Sequence, residues 1–266
     1  MTSTIIYEGP SLIDNEPIVV IYQPQGRNPK IGNMGQTWIL SSKIDPITAN
    51  RTGQDHSICG NCPHKGIVDP QKKKGMAPER SCYVNPMAPL AVYKAYKKGN
   101  YKKLNYGNNL QPLAMLGAGQ DIRIGSYGDP SAVPASVWHG LLRWAKSHTG
   151  YTHQANIKTS SYDYIKNILM TSCETLEQAR KAWDKGLRTF RTILDISEIS
   201  DNEKLCPATI EGSKTTCEKC NKCNGDNTFK SIAIVVHGNG AKYARGQAWK
   251  HGLNNTILAR WNMRAF

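Results

Sequence analysis

The stretch Ile122-Arg123-Ile124-Gly125-Ser126, closed by Tyr127-Gly128-Asp129-Pro130, decides the fold. It reads as a strand running into a turn. An amphipathic segment over 135–146 follows, with Val137, Trp138, Leu141, Leu142 and Ala145 on one stripe. Gly150 ends that helix, and Tyr151-Thr152-His153-Gln154 opens another short strand. Further along come a weak helix over 161–167 and a strand over 168–173. Thr175-Leu176-Glu177-Gln178 is a capping box that starts a helix through Trp183. Gly186 stops it, and strands over 187–194 and 232–236 and a last helix over 241–250 complete the series. Strands alternating with helices predict βαβ units and a parallel sheet. The expected fold is therefore α/β, a (β/α) TIM-like barrel, closed or incomplete, with cysteine-rich loop insertions. An open doubly wound sheet is the alternative, although no glycine-rich dinucleotide fingerprint is present.

Upstream, the pattern loosens. Residues 1–36 are punctuated by turn signals and read as irregular, 37–41 as a short strand, and 88–98 as a helix. The stretch 44–84 is too long to be a structureless loop unless something ties it down, which a metal would do. The expected organisation is one domain over 1–266: an irregular segment 1–50, a cysteine- and lysine-rich segment 51–110, and regular βα units over 120–250.

Seven of the eight cysteines fall into two groups. One is Cys206-Pro207 followed by Cys217-Glu218-Lys219-Cys220-Asn221-Lys222-Cys223. Two-residue gaps let thiolates of one turn face one centre. Three of them plus a remote fourth beside proline suit a [4Fe-4S] cluster better than zinc, which usually takes paired CxxC motifs or Cys and His pairs. The expected metal ligands are Cys206, Cys217, Cys220 and Cys223, with zinc as the competing metal. The other group is Cys59-Gly60-Asn61-Cys62-Pro63-His64 and Cys82, with His56, His64 or Cys173 as a possible fourth ligand. Cys59, Cys62, Cys82 and Cys173 thus form a second candidate metal group. Disulfides suit small secreted scaffolds instead.

In a barrel, the C-terminal strand ends form the site. Asp129, His153, Glu174 and His237 stand at successive predicted ends and are the candidate polar residues of the mouth.

The chain carries 34 Lys+Arg against 20 Asp+Glu, a net charge of +14. The excess is local. Lys72, Lys73, Lys74, Arg80, Lys94, Lys97, Lys98, Lys102 and Lys103 crowd 70–103 against Glu79 alone, and residues 231–266 contain no acid. Tyr93, Tyr96, Tyr101 and Tyr106 accompany the first cluster, and Trp249 and Trp261 the second. Basic residues beside aromatics can neutralise phosphates and stack on bases. A basic rim serves an acidic redox partner protein as readily. No apolar run reaches the roughly 18 residues of a membrane span, and the start lacks a basic-then-apolar leader. No membrane partner and a cytoplasmic location are expected.

The order of these pieces resembles the bacteriophage "gene product 88" domain family over about 55–240: CxxCP, then Ser81-Cys82-Tyr83, the Arg-Ile-Gly-Ser-Tyr-Gly-Asp-Pro strand end, a Tyr-Thr strand, Thr171-Ser172-Cys173, Cys-Pro, CxxCxxC and Ile-Val-Val-His-Gly. The resemblance implies a virus-encoded iron–sulfur protein with a barrel similar to that of radical S-adenosylmethionine enzymes, acting in the host cytoplasm. The chain departs from those enzymes in having no CxxxCxxC motif. With Cys206 as fourth ligand, no iron is left open for a cofactor. That favours electron transfer over radical modification of a nucleotide or nucleic acid. A zinc-stabilised nucleic-acid-binding protein is the third expectation.

Overall fold

The computed structural model describes residues 2–26, 28–154, 167–226, 228–237 and 241–243. In chain order its elements are β1 (Thr4–Pro10), β2 (Pro17–Gln23), β3 (Gly35–Ser41), α1 (Pro46–Thr52), α2 (His56–Cys59), α3 (Met87–Lys97), β4 (Lys102–Lys103), α4 (Gln111–Gly117), β5 (Asp121–Tyr127), α5 (Ala135–Leu142), β6 (Ser147–Thr149), β7 (Tyr151–Thr152), β8 (Met170–Cys173), α6 (Leu176–Trp183), β9 (Thr189–Ile193), β10 (Glu203–Leu205), α7 (Cys217–Cys220) and β11 (Ser231–Val235).

The chain is mixed α/β with two sheets. One is mixed, in the order β4-β1-β2-β3-β5-β6; the other is wholly parallel, in the order β10-β11-β9-β8-β7. Gly150 alone separates β6 from β7, so the edge of one sheet runs into the edge of the other. A side chain there would strike Ile124 and Leu169. The Gly150 carbonyl accepts from Met170 N at 2.9 Å, carrying the pairing across the junction. The parallel alternation expected from 120 onwards is present, but pairing stops at β4 on one side and β10 on the other. Barrel closure is therefore not shown, and the coarser statement, α/β with parallel strands, is what holds.

The N-terminal segment departs from its irregular reading. β1 and β2 form an antiparallel pair, and β2 pairs antiparallel with β3. The apolar run Ile18-Val19-Val20-Ile21-Tyr22 is fully buried, as a strand covered on both faces should be. The turn signals around it, Gly9-Pro10 and Pro24-Gln25-Gly26, bound the strands rather than replace them. The main core joins these strands to Trp138, Val137 and Leu141 of α5. The predicted helix over 161–167 and most of that over 241–250 lie outside the described residues.

The long cysteine-bearing stretch is tied down by a side chain. Asn50, buried at the end of α1, donates from Nδ2 to Asp55 Oδ2 (2.8 Å) and to the Lys65 carbonyl (2.9 Å). Its Oδ1 accepts from Ala77 N at 2.9 Å. One amide thus pins three separate points of the stretch. The tyrosines of the basic segment are anchors as well. Tyr93 donates to Lys43 O (2.9 Å), Tyr96 to Glu8 (2.6 Å) and Tyr106 to Ile6 O (2.8 Å), and Tyr101 packs on the core. Their rings are committed to holding α3 and its flank against β1–β3.

Candidate metal centre

The structure gathers Cys206, Cys217, Cys220 and Cys223 into one charge-coupled locus. Cys206 follows β10, and its N–H donates to Ala233 O of β11 at 2.8 Å, extending the parallel ladder by one step. Cys217 and Cys220 open and close α7, which Thr216 caps by accepting from Lys219 N. Asn221 then takes a left-handed conformation, φ 49°, and turns the chain back toward Cys223. The loop 30–33 holds α7 from outside: Lys30 O accepts from Cys217 N (3.1 Å) and Ile31 O from Glu218 N (3.2 Å).

Cys223 packs with Met170, Ile232, Tyr151, Phe190 and Cys206. The ladder pairs Tyr151 with Met170 and Phe190 with Ile232, so this locus lies on one face of the parallel sheet. Two buried cations clamp the loop beyond it. Arg188 donates to the carbonyls of Lys222, Asp226 and Lys230, at 2.8, 2.9 and 2.7 Å. Arg123 lies within β5, donates to Tyr83 Oη (2.7 Å), covers the Tyr151 ring at 5.2 Å, and is near enough to Cys217 for its charge to attract the sulfur. The Tyr151 ring packs against Cys223, and the Thr209 hydroxyl donates to the Cys206 carbonyl at 2.8 Å. Burial raises the thiols of Cys206 and Cys217 and pushes Cys223 up to about 12. Burial would lower Arg123, but the surrounding phenols and sulfurs raise it overall. Four soft donors beside a buried guanidinium and a phenol fit an anionic metal–thiolate centre.

The first cysteine group forms a second locus. Cys59, Cys62 and Cys82 are mutually coupled. Cys59 ends α2, with Gly60 at φ 52° where a Cβ would collide with the Gln154 amide. Gln154 donates to Cys59 O at 3.0 Å, and Cys82 N donates to His64 O at 3.0 Å, bringing the two cysteine segments side by side. The strand-end residues meet them there. His153 Nε2 lies 2.9 Å from Glu174 Oε1, and Cys62 is near enough to the ring for their charges to interact. His64 Nε2 lies 3.4 Å from the same oxygen, and its Nδ1 is 2.8 Å from Ser81 Oγ. Burial alone would raise Glu174, but hydrogen bonds from both imidazoles bring it down to about 2. Burial alone would lower His153, yet Cys62 and Glu174 raise it well above the usual imidazole range.

Asp129 is buried below this locus. It accepts from Ser131 N (2.9 Å) and from the His153 backbone N–H (2.8 Å), so it places His153 rather than reaching the sulfurs. Burial raises its carboxyl, a shift those N–H bonds only partly offset.

Two expected residues stand apart. Cys173 points to the opposite sheet face from Met170, in register with Arg191, and its nearest charges are Glu174, Arg191 and Glu203. Strand alternation removes it from both loci. His237 Nδ1 lies 2.9 Å from Val235 O, its own strand's end.

Sequence reasoning missed Arg123, Tyr151 and Arg188. Arg123 carried a signal: an arginine between two isoleucines of a buried strand needs a partner of negative charge. Compared with family models, with curated proteins and with solved structures, the chain matches none. No helix of the described residues is long and apolar enough to cross a membrane.

Proposed function

We propose that the chain is an iron–sulfur redox protein, with Cys206, Cys217, Cys220 and Cys223 holding a [4Fe-4S] cluster. The observation that carries the reading is the convergence of these four thiols under Arg123 and Tyr151. A cluster of this type supplies one-electron transfer. Four cysteine ligands leave no iron open, which sets electron transfer above radical chemistry. A buried guanidinium near the sulfurs stabilises the more negative, reduced state. The order of motifs shared with the bacteriophage "gene product 88" domains supports the same reading, and a reducing host cytoplasm suits unpaired thiols.

The partner that fits best is an acidic redox protein. Lys72, Lys73 and Lys74 are exposed, while Tyr93, Tyr96 and Tyr106 turn their hydroxyls to partners on the core strands and their flanks. The deciding experiment is iron, acid-labile sulfide and zinc analysis of anaerobically purified chain, with EPR before and after reduction. Iron and sulfide in equal amounts, with a signal that appears on reduction and depends on Cys217, are expected. Zinc in this locus without iron or sulfide would sink the proposal.

A further inference from the structure

The geometry points to a divalent metal site at the end of the parallel sheet, made by His64, His153 and Glu174 and separate from the thiols of Cys206–Cys223. One ligand atom from each of the three residues lies within 4.8 Å of the other two. Two imidazoles and one carboxylate are a known three-ligand set for zinc and for ferrous iron. The separations fit a shared ion. Atoms bound at about 2.0–2.1 Å stand about 2.9 Å apart at a right angle and about 3.3 Å apart in a tetrahedron. Glu174 Oε1 lies 2.9 Å from His153 Nε2 and 3.4 Å from His64 Nε2. The second distance is long for an N–H···O bond, usually about 2.7–3.2 Å, but ordinary for two ligands of one ion.

Each ligand comes from a different segment and is held from behind. His153 follows β7 and Glu174 follows β8, two neighbouring parallel strands. The His153 N–H donates to buried Asp129 at 2.8 Å. The Glu174 N–H donates at 2.8 Å to Gln178 Oε1, the side chain that completes the capping box of α6. His64 stands in the turn Pro63–Lys65, and its carbonyl accepts from Cys82 N at 3.0 Å. Its Nδ1 lies 2.8 Å from Ser81 Oγ, the kind of outer contact that orients a ligating imidazole and turns Nε2 toward the ion. The two rings meet edge to face, 71° apart with centres at 5.5 Å, so they approach the shared oxygen from different directions. The side chains of His64, His153 and Glu174 are 18%, 20% and 27% exposed, which leaves an ion a way in. Three protein ligands leave a position for water, the pattern of catalytic rather than structural zinc.

The test uses the full chain, purified anaerobically, with zinc as the probe and with iron and sulfide measured separately. After saturation with zinc and desalting, wild type should hold about one zinc per chain more than His64→Ala or Glu174→Gln. Iron and sulfide should be equal in all three. They report on the other centre, so a failure there shows separately from a failure here. Equal zinc in wild type and both variants overturns the proposal. So does a loss of iron and sulfide together with the zinc, because the residues would then serve the thiol centre. Should the variants fail to fold, zinc-edge X-ray absorption on wild type decides. Nitrogen and oxygen neighbours at about 2.0–2.1 Å are expected, and sulfur neighbours alone, at about 2.3 Å, overturn the site.

Discussion

The two cysteine groups are built in opposite ways. The group at 206–223 is gathered on a sheet face by side chains that belong to the sheet: Arg123 of β5, Tyr151 of β7 and Arg188 just before β9. The group at 59–82 is gathered by its own loop, which Asn50 pins, and the sheet adds the strand-end residues His153, Gln154 and Glu174. One group meets cationic and phenolic donors, the other a carboxylate–imidazole pair. The difference teaches that cysteine groups of similar spacing can differ in what stands behind the sulfurs, which tunes any metal they hold.

The largest expected break in this comparison is Cys220→Ser. If metal binding at 206–223 is folding free energy, on the order of 10 kcal/mol for comparable thiolate sites, losing one ligand should remove the iron and unravel the loop. Any metal held at 59–82 should stay. Metal content and the thermal midpoint, measured on one preparation, check both halves. Loss of both metals together would merge the two groups into a single unit.

Next in size is Arg123→Met. It strands Tyr83 and leaves Cys217 without its cation, at a cost of about 3–5 kcal/mol by analogy with broken buried charge pairs. The reduction potential should move negative, because the reduced centre loses a nearby positive charge. Arg123→Lys should recover part of the potential. A potential unchanged in both variants would detach Arg123 from the centre, whatever the stability change.

The opposite face of the same parallel sheet supplies the control. There Arg191 donates to Glu203 at 2.8 and 2.6 Å, fully buried and far from metal chemistry. Burial alone would raise Glu203, but the bonds from Arg191 and Ser200 hold it below the usual carboxylate range. Its contribution is therefore complete above the unfolded value of about 4.3 and is lost as pH falls through the folded value. Arg191→Met should cost about 3 kcal/mol near neutral pH. Its deficit against wild type should shrink as the medium is acidified, since the stranded carboxylate can then take a proton. Denaturant midpoints across pH 3–7 test this, and a deficit that grows on acidification would refute the assignment.

What the sequence made legible follows the same division. Local signals were readable: the capping box at Thr175 and Gln178 forms as written, and β5, β9 and β11 lie where alternation placed them. The CxxC and CxxCxxC spacings marked the residues that converge. β1 and β2 escaped because proline and glycine turn signals crowd short antiparallel strands, whose burial comes from pairing partners remote in sequence. The aromatic residues of the basic segment misled, since stacking and anchoring tyrosines look alike until their hydroxyl partners are seen. Arg188 and Asn50 were invisible because each acts through carbonyls of distant loops, and a carbonyl leaves no mark on sequence.

The smallest effect is the sharpest discriminator. Cys173 sits one residue before Glu174 and stands in the sequence, with His56 and His64, as a possible fourth ligand for Cys59, Cys62 and Cys82. In the fold it lies in register with Arg191, and its sulfur donates to Thr171 O at 3.7 Å. Cys173→Ala should therefore behave as the truncation of a small buried side chain, costing about 1 kcal/mol. Zinc, iron and sulfide should all be unchanged. If Cys173→Ala released zinc while His153→Ala did not, strand alternation would have been the wrong guide, and the ligands would include a thiol reached by a turn of β8.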